Sequence, residues 1–333
     1  MKNPSMRIRF ITPIITLSLI IFSCKKDEPQ IEPQKENIAG TSYETMNIMG
    51  QLREFIVHIP SSAAGMSEVP VVFFCHGTGT NGQDAFDAIN YWQTKSEQEG
   101  FITVYPTAMV HCFFDDGIQN TTTKWTTGDL GETDTVLGGL QLCSGQSLAD
   151  DLTFFDEMVQ FIKTNHVADS KRFYVVGFSN GGSMASRLAA ERSEIFAAAA
   201  PNAGVMSNFI PNTLTSQAIS VELIWGASDN LILSKMGLTG NFPMNDSIFD
   251  IPDVLTIIGN YRNILGFSDS YTTVNKQLQF GGQTVDIVEF LFDQSTRGEN
   301  NYFKFILVQG LDHEHTPGHV DINWEFLQSQ SLP

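Results

Sequence analysis

The strongest architectural signal in the chain is the run Phe173-Tyr174-Val175-Val176-Gly177-Phe178-Ser179-Asn180-Gly181-Gly182. An apolar stretch typical of a buried strand leads into the pattern Gly-x-Ser-x-Gly, and small residues at 183–190 favour a helix after it. A serine between strand and helix, flanked by glycines, indicates a nucleophile elbow, a sharp turn that presents the hydroxyl for attack on a carbonyl. The run therefore predicts that Ser179 is a nucleophile.

Further apolar segments of strand length lie on both sides of this run, at 55–59, 71–75, 102–105, 197–200, 221–225 and 303–308. Continuous apolar runs are typical of parallel strands that are covered on both faces. Between them lie helical patterns at about 83–99, from Ser147 onward, and at 183–191, 254–264 and 322–327. This alternation predicts a three-layer α/β sandwich with a mostly parallel central sheet.

The first 23 residues are interpreted as a signal peptide. A basic segment precedes an apolar stretch of 13 residues, 10–22, which is short for a membrane span. The stretch ends at Cys24 in Ile-Phe-Ser-Cys, which resembles the lipobox of bacterial lipoproteins and predicts lipidation of that cysteine. An ordinary cleaved signal peptide is the alternative. The charged residues 25–28 resemble the short signal that sends some lipoproteins to the cell surface.

The rest of the chain divides into a tether and one folded domain. Residues 24–42 are rich in Pro, Gln, Glu and Lys, which predicts a flexible tether, and 43–333 form a catalytic domain of ordinary size. The net charge of −18 disfavours nucleic acid as a partner and suits a neutral substrate. We expect an extracytoplasmic protein, anchored by lipid to the outer membrane and exposed at the cell surface.

Three cysteines remain once Cys24 is assigned to lipid. Outside the cytoplasm, Cys112 and Cys143 could form a disulfide across the long Thr/Gly/Asp-rich connection that holds both, which would contribute roughly 3 kcal/mol. Cys75 ends an apolar strand and is interpreted as a buried free thiol.

Partners for Ser179 follow it in the order Ser, Asp, His. Asp229 comes just after the strand at 221–225, although a turn aspartate that caps its own loop is the alternative. His313 and His315 both follow the strand at 303–308, and either could be the base. No cofactor or metal is predicted, because the His-Glu-His run lacks the helical spacing of metal-binding histidines.

Two backbone amides are candidates for an oxyanion hole. His76-Gly77 follows the strand at 71–75 and can present the N–H of Thr78, while Asn180, the residue after the nucleophile, supplies the second N–H. Three side chains are candidate substrate contacts: Trp125, which could form a flat wall for an acyl group or simply pack its loop, and His76 and His315.

Several of these segments together resemble a family of secreted esterases that groups polyhydroxybutyrate depolymerases with feruloyl and acetylxylan esterases. The segments are the His-Gly-Thr turn, 150–154, 177–182, 196–201 and 310–313, and the resemblance extends from about residue 43 to the C-terminus. It implies an α/β-hydrolase fold with Ser179 as nucleophile, Asp229 as acid and a loop histidine as base. The family's Gly-x-x-His spacing favours His313.

The sequence departs from that family after its last strand. Many members read His-Thr-Trp-Pro there, whereas this chain reads His313-Glu314-His315-Thr316-Pro317. The resemblance predicts a serine carboxylic ester hydrolase that acts on feruloyl or acetyl esters of plant polysaccharide through an acyl-enzyme. The missing tryptophan leaves the substrate open, with a polyhydroxybutyrate depolymerase as the alternative. A non-catalytic glycan-binding surface lipoprotein on the same fold is the third interpretation.

Overall fold

The computed structural model describes residues 35–132, 137–207, 213–280 and 282–333. The strands are β1 (Gly40–Ile48), β2 (Gln51–Ile59), β3 (Val69–Cys75), β4 (Ile102–Pro106), β5 (Val110–Asp115), β6 (Ile118–Thr123), β7 (Gln141–Leu142), β8 (Ala168–Phe178), β9 (Ala198–Asn202), β10 (Ser220–Gly226), β11 (Thr272–Phe280), β12 (Gln283–Phe292) and β13 (Phe303–Val308). The α-helices are α1 (Gly82–Asp87), α2 (Tyr91–Glu99), α3 (Asp151–Asn165), α4 (Asn180–Glu191), α5 (Asn230–Lys235), α6 (Pro252–Leu265) and α7 (Pro317–Leu327).

Ten of these strands form one sheet in the order β1-β2-β4-β3-β8-β9-β10-β13-β12-β11. The six central strands, from β4 to β13, are parallel to one another, and the outer pairs on both sides are antiparallel. The carboxyl ends of the parallel strands therefore meet at one edge, where ligands bind in α/β folds.

Two hydrophobic clusters cover the two faces of the sheet. Along β3, Val71 and Phe73 pack in the cluster that includes α3, α4 and α6, while Val72 and Phe74 pack with α2 and α7 on the opposite face. All four side chains are buried, which explains why β3 is continuously apolar. The predicted three-layer α/β sandwich with a mostly parallel sheet is confirmed.

Several predicted element boundaries were wrong. The helix predicted over 83–99 is two helices, α1 and α2, and the helix predicted from Ser147 begins at Asp151. Its N-cap is Asp150, whose carboxylate accepts a hydrogen bond from the Thr153 N–H at 3.0 Å. The carboxylate accepts a hydrogen bond from one of the free N–H groups of the first turn, and its negative charge interacts favourably with the positive end of the helix dipole.

The folded body also begins before residue 43. The Asn37 side chain is buried, and its amide exchanges two hydrogen bonds of 2.9 Å with the backbone of Val167. Strand β1 then starts at Gly40, so 37–42 belong to the body and not to the predicted tether. The predicted signal peptide, 1–23, and the lipidation site Cys24 lie outside the described residues.

A small second sheet stands beside the main one, with strand order β6-β5-β7. Strands β5 and β6 form a hairpin, and a disulfide joins Cys112 of β5 to Cys143, just after β7. Cys75 is a buried free thiol. Among the helices of the described ranges, none has the length and apolar character needed to cross a bilayer.

Candidate active site

Ser179 lies in a strained turn between β8 and α4. Its φ of 56° and ψ of −123° are unusual for a residue other than glycine, and its N–H donates to the Asn202 carbonyl at 2.9 Å. A Cβ at Gly177 would collide with the backbone of Gly181, and one at Gly181 with the carbonyl of Cys75. The glycines are therefore required by backbone contacts, as expected of a nucleophile elbow.

The structure brings Ser179, His313 and Asp229 together. His313 Nδ1 lies 2.8 Å from Asp229 Oδ2, and His313 Nε2 lies 2.9 Å from Ser179 Oγ. A carboxylate can only accept, so Nδ1 carries the proton and Nε2 is free to accept the serine hydroxyl hydrogen. These are the contacts that a general base needs with a nucleophile and an orienting acid.

Asp229 is held at the end of β10 by the helix that follows it. The residue is fully buried, and its Oδ1 accepts hydrogen bonds from the N–H groups of Leu231 and Ile232 at 3.1 and 2.9 Å. The carboxylate is thus the N-cap of α5 as well as the partner of His313. Oδ1 therefore caps the helix while Oδ2 faces His313. The interpretation of Asp229 as a capping residue and its predicted role as an acid are compatible, because each involves a different oxygen.

Thr78 and Asn180 line the same cavity as Ser179. Neither N–H has a hydrogen-bond acceptor within the described part of the chain. Two unused donors beside a serine hydroxyl are what an oxyanion hole requires.

The cavity in front of Ser179 has a volume of about 550 Å³. Its walls come from the β5–β6 hairpin, from the segments at 203–207 and 137–140 and from α5. The apolar lining consists of Ile89, Phe113, Leu137, Leu140, Phe178, Ala203, Val205, Met206, Leu231 and Ile232. The size and lining are those of a small-molecule site.

Charged side chains in this cavity are paired with each other. Lys124 Nζ lies 2.8 Å from Asp129 Oδ2, and Lys235 Nζ lies 2.8 Å from Asp115 Oδ1. Because each lysine faces a carboxylate, the two pairs leave little net charge on the cavity wall. An uncharged substrate fits such a wall better than an ion does.

Three candidate substrate contacts lie elsewhere. Trp125 and His76 are fully buried, and neither borders the cavity. The indole N–H of Trp125 donates to the His76 carbonyl at 2.9 Å, and its backbone N–H donates to Asn180 Oδ1 at 2.7 Å. Trp125 therefore supports the loops around the cavity from behind, and packing is its role.

His315 is also set back from the cavity. Its ring packs between Phe74 and Phe178 at centroid distances of 5.1 and 5.7 Å, and both ring nitrogens are buried without a hydrogen-bond partner. Burial lowers the pKa of His315 to about 3. Of the two histidines left open by the sequence, the geometry brings only His313 to Ser179.

The sequence analysis missed Asp312. Its Oδ1 accepts the N–H groups of His313 at 2.8 Å and of Asn230 at 3.1 Å, and these backbone hydrogen bonds, from Asn230 first, lower its pKa. The only sequence signal was a carboxylate directly before the histidine, which a turn residue would also give.

Comparison with known proteins supports this description. A profile of the prolyl oligopeptidase family matches residues 143–230, which include Ser179 and Asp229. Feruloyl esterase B of Thermothelomyces thermophilus is 26% identical over an alignment of 217 residues, which covers 59% of this chain and 66% of that protein. Probable acetylxylan esterase A of Aspergillus niger is 28% identical over 150 residues, 45% of this chain and 41% of that protein.

The chain thus matches less than two thirds of the length of either curated relative. Among solved structures, the acetyl xylan esterase from Aspergillus awamori superposes with a TM-score of 0.53 at 17% identity, covering 86% of this chain and 99% of that one. At this identity the superposition establishes the fold alone. The sheet order, the elbow and the superposition together show that the chain has an α/β-hydrolase fold, and its sequence is similar to those of the feruloyl and acetylxylan esterases named above.

Proposed function

We propose that this protein is a serine carboxylic ester hydrolase. The observation that carries the proposal is the continuous contact from Ser179 Oγ through the His313 ring to the buried Asp229 carboxylate. Ser179 and His313 line a cavity whose charged side chains are paired. The two curated relatives described above are named as esterases.

In the proposed mechanism, Ser179 Oγ attacks the ester carbonyl while His313 Nε2 takes its proton. Asp229 stabilises the imidazolium that forms, and the N–H groups of Thr78 and Asn180 donate to the tetrahedral oxyanion. His313 returns the proton to the leaving alcohol, which breaks the ester bond and leaves an acyl-enzyme. A water molecule, deprotonated by His313, then attacks the acyl carbonyl. His313 returns the proton to Ser179 Oγ as the serine–acyl bond breaks, which releases the acid.

The substrates that we propose are feruloyl or acetyl esters of plant polysaccharide, because the two curated relatives are named for these esters. The cavity of about 550 Å³ favours the larger, aromatic acyl group. An acetyl group would leave most of the apolar lining, such as Phe113 and Leu140, in contact with water. A hydroxycinnamoyl ring would cover part of that lining, at about 25 cal/mol per Å² of apolar surface removed from water.

The test is a panel of methyl ferulate, acetylated xylan and polyhydroxybutyrate, assayed with wild type, Ser179→Ala and the exposed-serine control Ser234→Ala. We expect hydrolysis of methyl ferulate above the other two, loss of several orders of magnitude in kcat for Ser179→Ala, and unchanged activity for the control. Preference for polyhydroxybutyrate would support the depolymerase alternative.

A fluorophosphonate probe separates an enzyme from a binding protein on the same fold. It should label wild type and Ser234→Ala but not Ser179→Ala. A wild-type protein that neither reacts with the probe nor hydrolyses any ester would overturn the proposed function and support the non-catalytic glycan-binding alternative.

A further inference from the structure

The peptide between Gly77 and Thr78 is fixed through its carbonyl. The Gly77 oxygen accepts hydrogen bonds from His76 Nδ1 at 2.7 Å, from Thr80 Oγ1 at 3.0 Å and from the Thr80 N–H at 3.4 Å. In a trans peptide, the carbonyl and the N–H of the same unit point in opposite directions. Fixing the Gly77 carbonyl therefore fixes the direction of the Thr78 N–H.

The protonation of His76 is determined by its other ring nitrogen. Nε2 lies 3.0 Å from the backbone nitrogen of Ala108, which can only donate. Nε2 is therefore an acceptor, and the single proton of the neutral ring is on Nδ1, where it points at the Gly77 carbonyl. Burial lowers the pKa of His76 to about 4, so the ring stays neutral through the usual assay range.

Trp125 holds the same residue from the other side. Its indole N–H donates to the His76 carbonyl at 2.9 Å, and its ring packs 5.1 Å from the imidazole. Both polar ends of His76 and its backbone oxygen thus have partners, and the side chain is fully buried. A ring held at this many points has no freedom to turn away from Gly77.

We propose that His76 is a positioning residue of the oxyanion hole, which turns the Thr78 N–H toward the substrate by donating a hydrogen bond from Nδ1 to the Gly77 carbonyl. The inference rests on the proposed ester hydrolysis. His76 touches no reacting atom, so its removal should weaken stabilisation of the tetrahedral oxyanion and leave binding of the ester largely unchanged.

The variants that test it are His76→Phe, which keeps a ring without the donor, and His76→Asn, whose amide NH₂ can reach the place of Nδ1. The control is His58→Phe, because His58 is buried on β2 with both ring nitrogens near partners, Thr41 Oγ1 at 3.0 Å and Glu97 Oε1 at 3.2 Å. The kcat and KM values are measured on p-nitrophenyl acetate, with thermal unfolding as the check on folding.

We expect His76→Phe to lower kcat by about 100-fold, the loss typical of one oxyanion donor, with KM within about threefold of wild type. His76→Asn should recover at least about tenfold of that loss, and His58→Phe should keep the wild-type kcat despite a lower melting temperature. A kcat within threefold of wild type for His76→Phe overturns the proposal. So does a kcat for His76→Asn as low as that for His76→Phe, or an equal loss in His58→Phe.

A measurement on the wild type does not depend on any variant folding. Nitrogen-15 spectra of the histidine rings between pH 5 and 8 should show, in addition to His313 and His111, a further ring in the Nδ1–H form, and the signal of that ring should disappear in His76→Asn. A His76 signal in the Nε2–H form would overturn the inference. If the wild-type protein hydrolyses no ester, both the proposed function and this inference are wrong. If the wild type is active and any of the overturning results is found, only the inference is wrong.

Discussion

Asp312 binds Asn230 through both carboxylate oxygens, at 3.1 Å to its backbone N–H and 3.1 Å to its side-chain amide. Asn230 follows Asp229 and Asp312 precedes His313, so this contact joins the loop of the acid to the loop of the base. This contact fixes the position of the loop after β10 relative to the loop after β13.

We therefore expect Asp312→Ala to lower kcat by roughly tenfold, because a looser His313 would reach Ser179 and Asp229 less often. Asp312→Asn keeps one acceptor and should lose less. Steady-state kinetics on p-nitrophenyl acetate measures both values. An Asp312→Ala variant as fast as wild type would show that the two loops hold their register without this contact.

The assignment of the base is tested by comparing His313→Ala with His315→Ala. His313 contacts both Ser179 Oγ and Asp229 Oδ2, whereas both His315 ring nitrogens are buried among aromatic rings. We expect at least about a thousandfold loss of kcat for His313→Ala and a far smaller one for His315→Ala. The reverse order would transfer the base to His315 and require a different loop conformation from the one described.

His315, whose ring nitrogens are both buried, should make the protein sensitive to acid. Its folded pKa is lowered to about 3 by burial, while the ordinary value is 6.5. Below pH 6.5 the unfolded chain binds a proton at His315, whereas the folded protein does not. The free energy of unfolding is therefore unaffected by His315 above pH 6.5 and decreases as the pH falls toward 3. At pH 4.5 the loss from this one residue is on the order of 3 kcal/mol.

His315→Leu removes that proton and should make the dependence of stability on pH between 6.5 and 4.5 shallower, while His76, whose pKa is also lowered, keeps part of the slope. Urea unfolding at several pH values measures the slope for wild type and variant. Parallel curves would mean that the ring is accessible to protons in the folded state.

The disulfide should matter for substrate size. Cys112–Cys143 braces the β5–β6 hairpin, which contributes Phe113, Asn120 and Thr122 to the cavity wall. In the double variant Cys112→Ser/Cys143→Ser, we expect KM for methyl ferulate to rise severalfold and KM for p-nitrophenyl acetate to change less. The free energy of unfolding should fall by roughly 3 kcal/mol. Equal changes in the two KM values would contradict a role in shaping the wall.

The membrane anchor remains a prediction from the sequence. Cys24→Ala should abolish membrane association in a bacterial host with an outer membrane, because acyl chains supply about 0.8 kcal/mol per buried methylene. Cell fractionation followed by immunoblotting measures the change. Membrane association that persists in the variant would indicate a different anchor, while a protein processed at an ordinary cleavage site would be soluble with or without the substitution.

The central sheet could be predicted because its strands are continuously apolar. Strands β3, β10 and β13 are almost fully buried, as is the segment 173–177 of β8, and most of the buried side chains are apolar. Strands β6 and β11 were missed for the opposite reason. Their sequences, IQNTTT and TTVNKQLQF, are mostly polar and largely exposed, and backbone pairing with a neighbour forms them without an apolar signal.

The sequence predicted the site residues that can be recognised from their order along the chain and from their positions after strands. Ser179, Asp229 and His313 each follow a strand, and strand ends of a parallel sheet meet at one edge. Trp125 and His76 also lie in loops at that edge, yet their side chains turn inward. The direction of a loop side chain depends on partners far along the chain, such as Asn180 for Trp125 and Ala108 for His76, and no local pattern records such partners.

The glycines of the elbow also bear on how this protein can change in evolution. Backbone atoms of Gly181 and Cys75 occupy the space where side chains at Gly177 and Gly181 would lie, so almost any replacement there would displace the nucleophile. The cavity wall is built differently, from side chains such as Phe113, Leu137 and Leu231 on separate segments. Mutational freedom is therefore concentrated in the wall, and libraries randomised at those positions should alter ester preference while the reactive serine stays in place.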